Sequence, residues 1–385
     1  MKRPYQRRPF VPEMATLWPH MLLPRISPVT TPYPFKDPKT RYYHYARNGI
    51  YAMARLWNLA GQEVLFPSYF HGVELDALVA AGLQPRFYPV RDRMRIEVAD
   101  IVTRISPQTR AVYLIHYLGF PGPVEELANI CRESNVFLFE DCALALFSSL
   151  GNTPLGSFGD AAFFCIYKTL PLPHGGALVL RRGEPSELPK SRAPSLFSTF
   201  AHAAHLLDRN FEFRGKSRTR LLLKGVRALA KPVSRSARRQ VVPIGVPHFD
   251  PAYADLAMSR FCHLVLAAQD FPSIVEKRRR NYLQLLERLR KISPPIFDEL
   301  PPGVCPLFYP FQTQAREALL ERLLARGVEA GGYWSRQHPA LPLGTFPEAD
   351  NLRRTVLGLP CHQDLTPELI DWVADQVCKA MREIN

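Results

Sequence analysis

The chain has 385 residues, 46% hydrophobic and 22% charged, enough for a large domain with a smaller companion and a substantial core. Its formal charge of +14 suits anionic partners: phosphate-bearing substrates, an anionic membrane leaflet or nucleic acid. It shows no apolar run of spanning length and no signal peptide, and its seven scattered cysteines, with no Cys-x-x-Cys pair, give neither a disulfide framework nor a zinc site, so a cytoplasmic protein is expected.

Residues 1–40 are basic and proline-rich and read as an extended arm, because each X-Pro step disfavours helix. A large domain is expected over 41–272 and a smaller α+β domain over 273–385. A helix is predicted over 50–59, with Asn48-Gly49 as its cap and the amides of Asn48, Gly49 and Ile50 as an anion site. The alternative for Asn-Gly is a plain turn. Strands are predicted at 63–68, 86–90, 111–116 and 136–139, separated by helices at 72–81, 96–105 and 124–134. That alternation predicts an α/β fold with a mostly parallel sheet, whose ligands sit at the carboxyl ends of the strands. Ser68, His116, Asp141 and Lys168 all fall at such ends.

Residues 181–247 read as a basic amphipathic insertion, with ten lysines and arginines between Arg214 and Arg239 around the apolar stretch LLLKGVRALA. It is either a solvated helix face or a peripheral contact with an anionic membrane; few aromatics interleave the charges, so nucleic acid is not expected. Helices are predicted over 256–266, 273–289 and 317–326, and a last one runs to 381 after Thr366-Pro367-Glu368.

The chemistry gathers in residues 157–176, SFGDAAFFCIYKTLPLPHGG. A buried strand (161–166) delivers Lys168 to a proline-punctuated turn closed by Gly175-Gly176. Desolvation there would lower an amine's pKa, which suits Schiff-base chemistry; the competing reading is a lysine that caps the strand and reaches water. A pyridoxal phosphate site needs an amine, a carboxylate for the pyridine nitrogen, an anion cradle and a flat group over the ring. Lys168, Asp141, the amides around Asn48, Gly49 and Ile50, and His71 are the candidates.

At this point the sequence resembles the DegT/StrS-type sugar aminotransferases, pyridoxal phosphate enzymes of transferase fold type I. EVLFPSY, IHYLGFPGPVEEL, FLFEDCA, LGSFGDAAFF and LGLPCHQDLTPELIDWV match family segments in family order. The resemblance implies that Asp141 pairs with the pyridine nitrogen and that Lys168 is the cofactor lysine and proton shuttle. Lys168 has the family spacing counted back from Gly175-Gly176, whereas counted forward from Phe164 the turn is about two residues short. Where the family has a glutamine, a phosphate-binding serine and an acidic residue, this chain has Leu144, Cys165 and His174. Its Asn-x-Arg motif has no counterpart near residues 249–259. The implied reaction moves an amino group from an amino acid, with L-glutamate the expected donor, to a nucleotide-linked keto-sugar for surface polysaccharide or amino-sugar synthesis. A homodimer is expected. Arg336 and His174 are candidate substrate contacts. Two other readings are a sugar dehydratase of the same fold, in which histidine replaces the lysine, and a catalytically idle membrane-associated scaffold.

Overall fold

The computed structural model describes residues 9–23, 31–216, 242 and 248–384. A seven-stranded sheet forms the centre of the large domain. Its strands are β1 (Thr40–Tyr43), β2 (Glu63–Pro67), β3 (Gln84–Tyr88), β4 (Thr109–Ile115), β5 (Phe137–Asp141), β8 (Ala161–Cys165) and β9 (Gly176–Leu180). A small hairpin, β6 (Ser149–Leu150) and β7 (Thr153–Pro154), lies between β5 and β8. The order across the sheet is β1-β9-β8-β5-β4-β2-β3, all parallel except β9, which runs antiparallel to both its neighbours. β5, β8 and β9 are buried at every position, the pattern of a parallel sheet covered on both faces. The helices include α1 (Ala46–Leu56), α2 (Val73–Ala80), α3 (Val98–Val102), α4 (Val124–Glu133), α5 (Ile166–Thr169) and α6 (Leu196–Phe213). The predicted α/β class and mostly parallel sheet are therefore present.

Several predicted boundaries move. The helix expected over 96–105 is the short α3. The helix expected from 256 begins as α7 (Arg260–Ala267), because the Ser259 hydroxyl accepts from Cys262 N and caps it. The helix expected from 50 is α1, which starts four residues earlier.

The second sheet is antiparallel, ordered β10 (Phe308–Gln312), β12 (Val356–Pro360), β11 (Gly331–Gly332). With α8 (Phe271–Leu289), α9 (Arg316–Ala325) and α11 (Pro367–Ile384) it encloses a separate core around Tyr282, Leu285, Phe311, Leu359 and Val373. α10 (Pro347–Thr355) faces the large domain, placing Ala349 and Leu352 in its core. The boundary read at residue 272 falls in the first turn of α8, which carries Phe271 and Ile274 in the large core and Leu289 in the small one. The arm is stitched down rather than merely laid over: Val11 pairs with Val328, and Thr16 donates from its amide and hydroxyl to Asp364 at 2.7 and 2.8 Å. Most of the basic run, including LLLKGVRALA, lies outside the described residues. Among the described residues no helix is long and apolar enough to cross a membrane.

Candidate active site

A cleft opens at the carboxyl ends of the parallel strands. Its walls come from the ends of β4 (Ile115), β5 (Asp141) and β8 (Cys165), from the start of α1 (Tyr45, Ala46, Arg47, Ile50), from the β2–α2 connection (His71) and from the first turn of α2 (Glu74). Tyr167 and Lys168 of α5 and Trp334 of the small domain complete it. The register Ile115–Asp141–Phe163 across β4, β5 and β8 aligns these strand ends side by side.

Asp141 is 6% exposed. Its Oδ2 accepts from the Tyr113 hydroxyl and its Oδ1 from Ala143 N, both at 2.8 Å. Burial raises its pKa to about 6, and the nearby Glu74 carboxylate adds to the rise. The Ala143 amide, Lys168 and the Tyr113 hydroxyl oppose it. A neighbouring network anchors the strand end. Glu140 accepts from Gly156 N, Phe158 N and Gly159 N and lies 3.2 Å from His116 Nε2, while His116 Nδ1 accepts from Gly122 N. With Nδ1 accepting, the ring proton sits on Nε2 and faces Glu140. Cys142 joins these two in a compact buried group, but the Glu140 oxygens already face amides.

His71 lines the cleft and its side chain is 42% exposed. The cleft walls still strip enough water from the ring to lower its pKa to about 4, with the Lys168 and Arg47 cations contributing. Glu74 fixes this corner, accepting from His71 N at 2.8 Å and from Gly72 N at 3.2 Å.

The anion cradle differs from the one expected. Asn48 and Gly49 are interior residues of α1, not its cap, and neither lines the cleft. Asn48 instead sends Nδ2 to Tyr253 O at 2.8 Å, and its amide goes to Tyr45 O. A Cβ on Gly49 would lie 3.0 Å from Leu178 Cβ, so this glycine serves packing. Ile50 does line the cleft, but as a side chain: one turn in, its amide is directed at a carbonyl of its own helix. The first-turn amides without a carbonyl in their own helix belong to Ala46 and Arg47, and the Arg47 guanidinium lies over the Tyr45 ring, 4.0 Å from its centroid. Cys165 lines the cleft and burial raises its thiol pKa. Leu144 lines it as well.

Neither candidate substrate contact reaches the cleft wall. His174 is wholly buried behind the α1 start, stacked on His44 with ring centroids 3.8 Å apart, and its Nε2 lies 3.4 Å from Thr199 Oγ1. Arg336 is exposed, two residues beyond Trp334, which is the residue of that loop in the wall. Arg47, Glu74, Tyr113, Tyr167 and Trp334 were not singled out from the sequence. Only Tyr113 carried a signal, as a polar-tipped residue two positions before the end of β4.

The model of the family described as DegT/DnrJ/EryC1/StrS aminotransferase matches residues 50–191, the stretch that holds both Asp141 and Lys168. A Saccharopolyspora spinosa protein, dTDP-4-dehydro-2,3,6-trideoxy-D-glucose 4-aminotransferase, is 26% identical over 332 residues, covering 83% of this chain and 78% of that one. Residues 50–191 thus carry the signature of the DegT/DnrJ/EryC1/StrS aminotransferase family, and most of the chain is similar to a named sugar aminotransferase. A GDP-perosamine synthase from Vibrio cholerae is 29% identical over a shorter stretch, 33% of this chain and 36% of that protein. The aminotransferase TlmJ from Streptoalloteichus hindustanus shares the fold, with a TM-score of 0.63, 23% identity, and coverage of 90% and 87%.

The family uses pyridoxal phosphate, and the cleft's donor set fits that group. A buried carboxylate with a raised pKa lacks a full counter-charge, which a protonated ring nitrogen would supply. An amine stands on the adjoining turn, and a helix start with an arginine offers an anion cradle.

Proposed function

We propose that this aminotransferase moves an amino group from an amino acid, L-glutamate, to a keto-sugar carried on a nucleoside diphosphate. The observation that carries the reading is that Lys168 and Asp141 line one cleft at the ends of adjacent strands. The names of the Saccharopolyspora and Vibrio relatives support the sugar-nucleotide class, and the charge of +14 suits a diphosphate-bearing substrate.

When bound, pyridoxal phosphate supplies an electron sink for the carbanion formed at the substrate carbon. Asp141 holds a positive charge on the ring nitrogen, and Tyr113 and Ala143 keep its two oxygens oriented for that task. The Lys168 amine is the group that would hold the cofactor, and when free it would serve as the base and acid that moves a proton at the substrate carbon. Ala46, Arg47 and the α1 dipole would hold the phosphate, and His71 is the group that would pack against the ring. Trp334 and Leu144 narrow the cleft and exclude water.

The dehydratase reading loses support, because Lys168 is retained and His174 is buried away from the cleft. The idle-scaffold reading rests on Leu144 and Cys165, which change the lining but leave the Lys168–Asp141 pair intact. A homodimer is part of the proposal. So is peripheral contact with an anionic membrane through the basic run, since no acidic residue occurs between Arg214 and Phe249.

The deciding experiment is the visible absorbance of the purified protein with pyridoxal phosphate, before and after L-glutamate. A yellow band that bleaches on adding glutamate is expected, and Lys168→Ala is expected to retain no cofactor after borohydride treatment. A protein that takes up no cofactor would refute the reading.

A further inference from the structure

Lys168 stands on a single helical turn of four residues, α5, closed by Leu170 N donating to Ile166 O at 3.0 Å. One isolated turn is marginal, because it fixes several dihedrals for one hydrogen bond, and its last carbonyls have no partner within the turn. The carbonyl of Thr169, next to the lysine, is held from outside. Arg278 Nη2 donates to it at 2.9 Å and Gln363 Nε2 at 3.0 Å, which occupies both of its lone pairs. The two donors are locked together, with Arg278 Nε donating to Gln363 Oε1 at 2.8 Å. Arg278 also reaches the carbonyls of Leu307 at 3.0 Å and Pro306 at 3.3 Å.

Arg278 is 1% exposed, and among the described residues no carboxylate pairs with it. Burying an unpaired charge is costly, and an apolar side chain of similar volume would avoid that cost. The guanidinium is therefore doing something that packing alone does not require. Both donors lie far from Thr169 along the chain: Arg278 on α8, which runs from the large core into the small one, and Gln363 in the PCHQDL segment after β12 of the small sheet. Neither lines the cleft. The grip falls on the turn that is shorter than the family pattern.

We propose that Arg278 and Gln363 are positioning residues that aim the Lys168 amine into the cleft, tying the lysine turn to α8 and to the segment after β12. The proposal rests on Lys168 being the cofactor lysine, but part of its test does not.

The test compares full-length Arg278→Lys, Gln363→Leu and a control, Arg279→Lys. Arg279 grips the carbonyls of Pro301 and Val304 at 2.8 and 2.6 Å and does not touch the lysine turn. In cofactor-free protein, acetylation of Lys168 by acetic anhydride is followed by peptide mass spectrometry, with exposed Lys190 as the internal reference. A change of about threefold or more at Lys168 is expected in the first two variants and none in the control. In the loaded enzyme the same two variants are expected to lose about tenfold or more in kcat while KM for the amino donor changes little. Wild-type labelling of Lys168 in Gln363→Leu, the milder variant, would overturn the proposal, as would equal effects from Arg279→Lys. If the wild type takes up no cofactor, the proposed function fails, and the labelling result alone decides whether the clamp positions this amine.

Discussion

Asp141 shows how one buried group can lower stability while serving a site. In the cofactor-free fold its pKa is raised to about 6 from a reference of 3.8, chiefly by burial. The folded state therefore keeps a proton that the unfolded chain releases between those values. Its contribution to stability is fully present below about pH 4 and is lost as pH rises through about 6. The difference between those two values corresponds to roughly 3 kcal/mol. Asp141→Asn is accordingly expected to unfold at higher urea than the wild type near pH 7 when both lack cofactor, with the gap closing toward pH 4. The same variant is expected to bind pyridoxal phosphate more weakly. Equal midpoints at both pH values would show that this carboxylate carries no such penalty. His71 behaves oppositely: its lowered pKa keeps the ring neutral near pH 7, consistent with a group lying over a ring rather than bearing charge.

At the scale of elements, Gly176 explains why a glycine pair follows the lysine turn. A Cβ there would lie 2.1 Å from Ala46 N and 2.3 Å from Tyr45 C, both backbone atoms at the start of α1. β9 can pass under the helix start only without a side chain at this point. Gly176→Ala is expected to cost about 3 kcal/mol or more, read by urea unfolding, because backbone rather than a flexible side chain must move. It is also expected to weaken cofactor affinity, since the displaced amides of Ala46 and Arg47 form the proposed cradle. Unchanged stability would mean that α1 is not held where the structure places it. The start of α1 was the element least legible in the sequence. Asn48-Gly49 reads as a cap, but the Asn48 amide group is used by Tyr253, 205 residues away, and the residue at the cap, Tyr45, has no capping side chain. A long-range bond of that kind leaves no local mark. The strands, by contrast, were legible because runs such as AVYLI and AAFF are buried on both faces and need no knowledge of their neighbours.

For the whole molecule, the basic run is the feature that the catalytic reading does not use. Replacing residues 217–240 by a short uncharged linker is expected to reduce sedimentation with anionic liposomes and to leave binding to neutral ones unchanged. Equal sedimentation would leave the run as a solvated element. Cutting from residue 205 would confuse this test, because Asn210 donates to Thr16 and Arg209 pairs with Glu329. Those contacts, with Thr16 on Asp364, tie the insertion helix, the N-terminal arm and the PCHQDL segment together. Read along the chain, that last segment is only a motif near the end. In three dimensions it holds the arm through Asp364 and the lysine turn through Gln363. By itself the sequence determined the α/β class and the strand end that carries Asp141, because burial patterns and strand termini are local properties; the strand read over 161–166 stops at Cys165, and Lys168 follows on the turn α5. Only the tertiary structure decided that Arg47, Glu74 and Trp334 share that cleft, that His174 and Arg336 do not, and that an arginine of α8 grips the turn of Lys168. Those facts depend on distances between residues far apart in the chain, which no local pattern of side chains records.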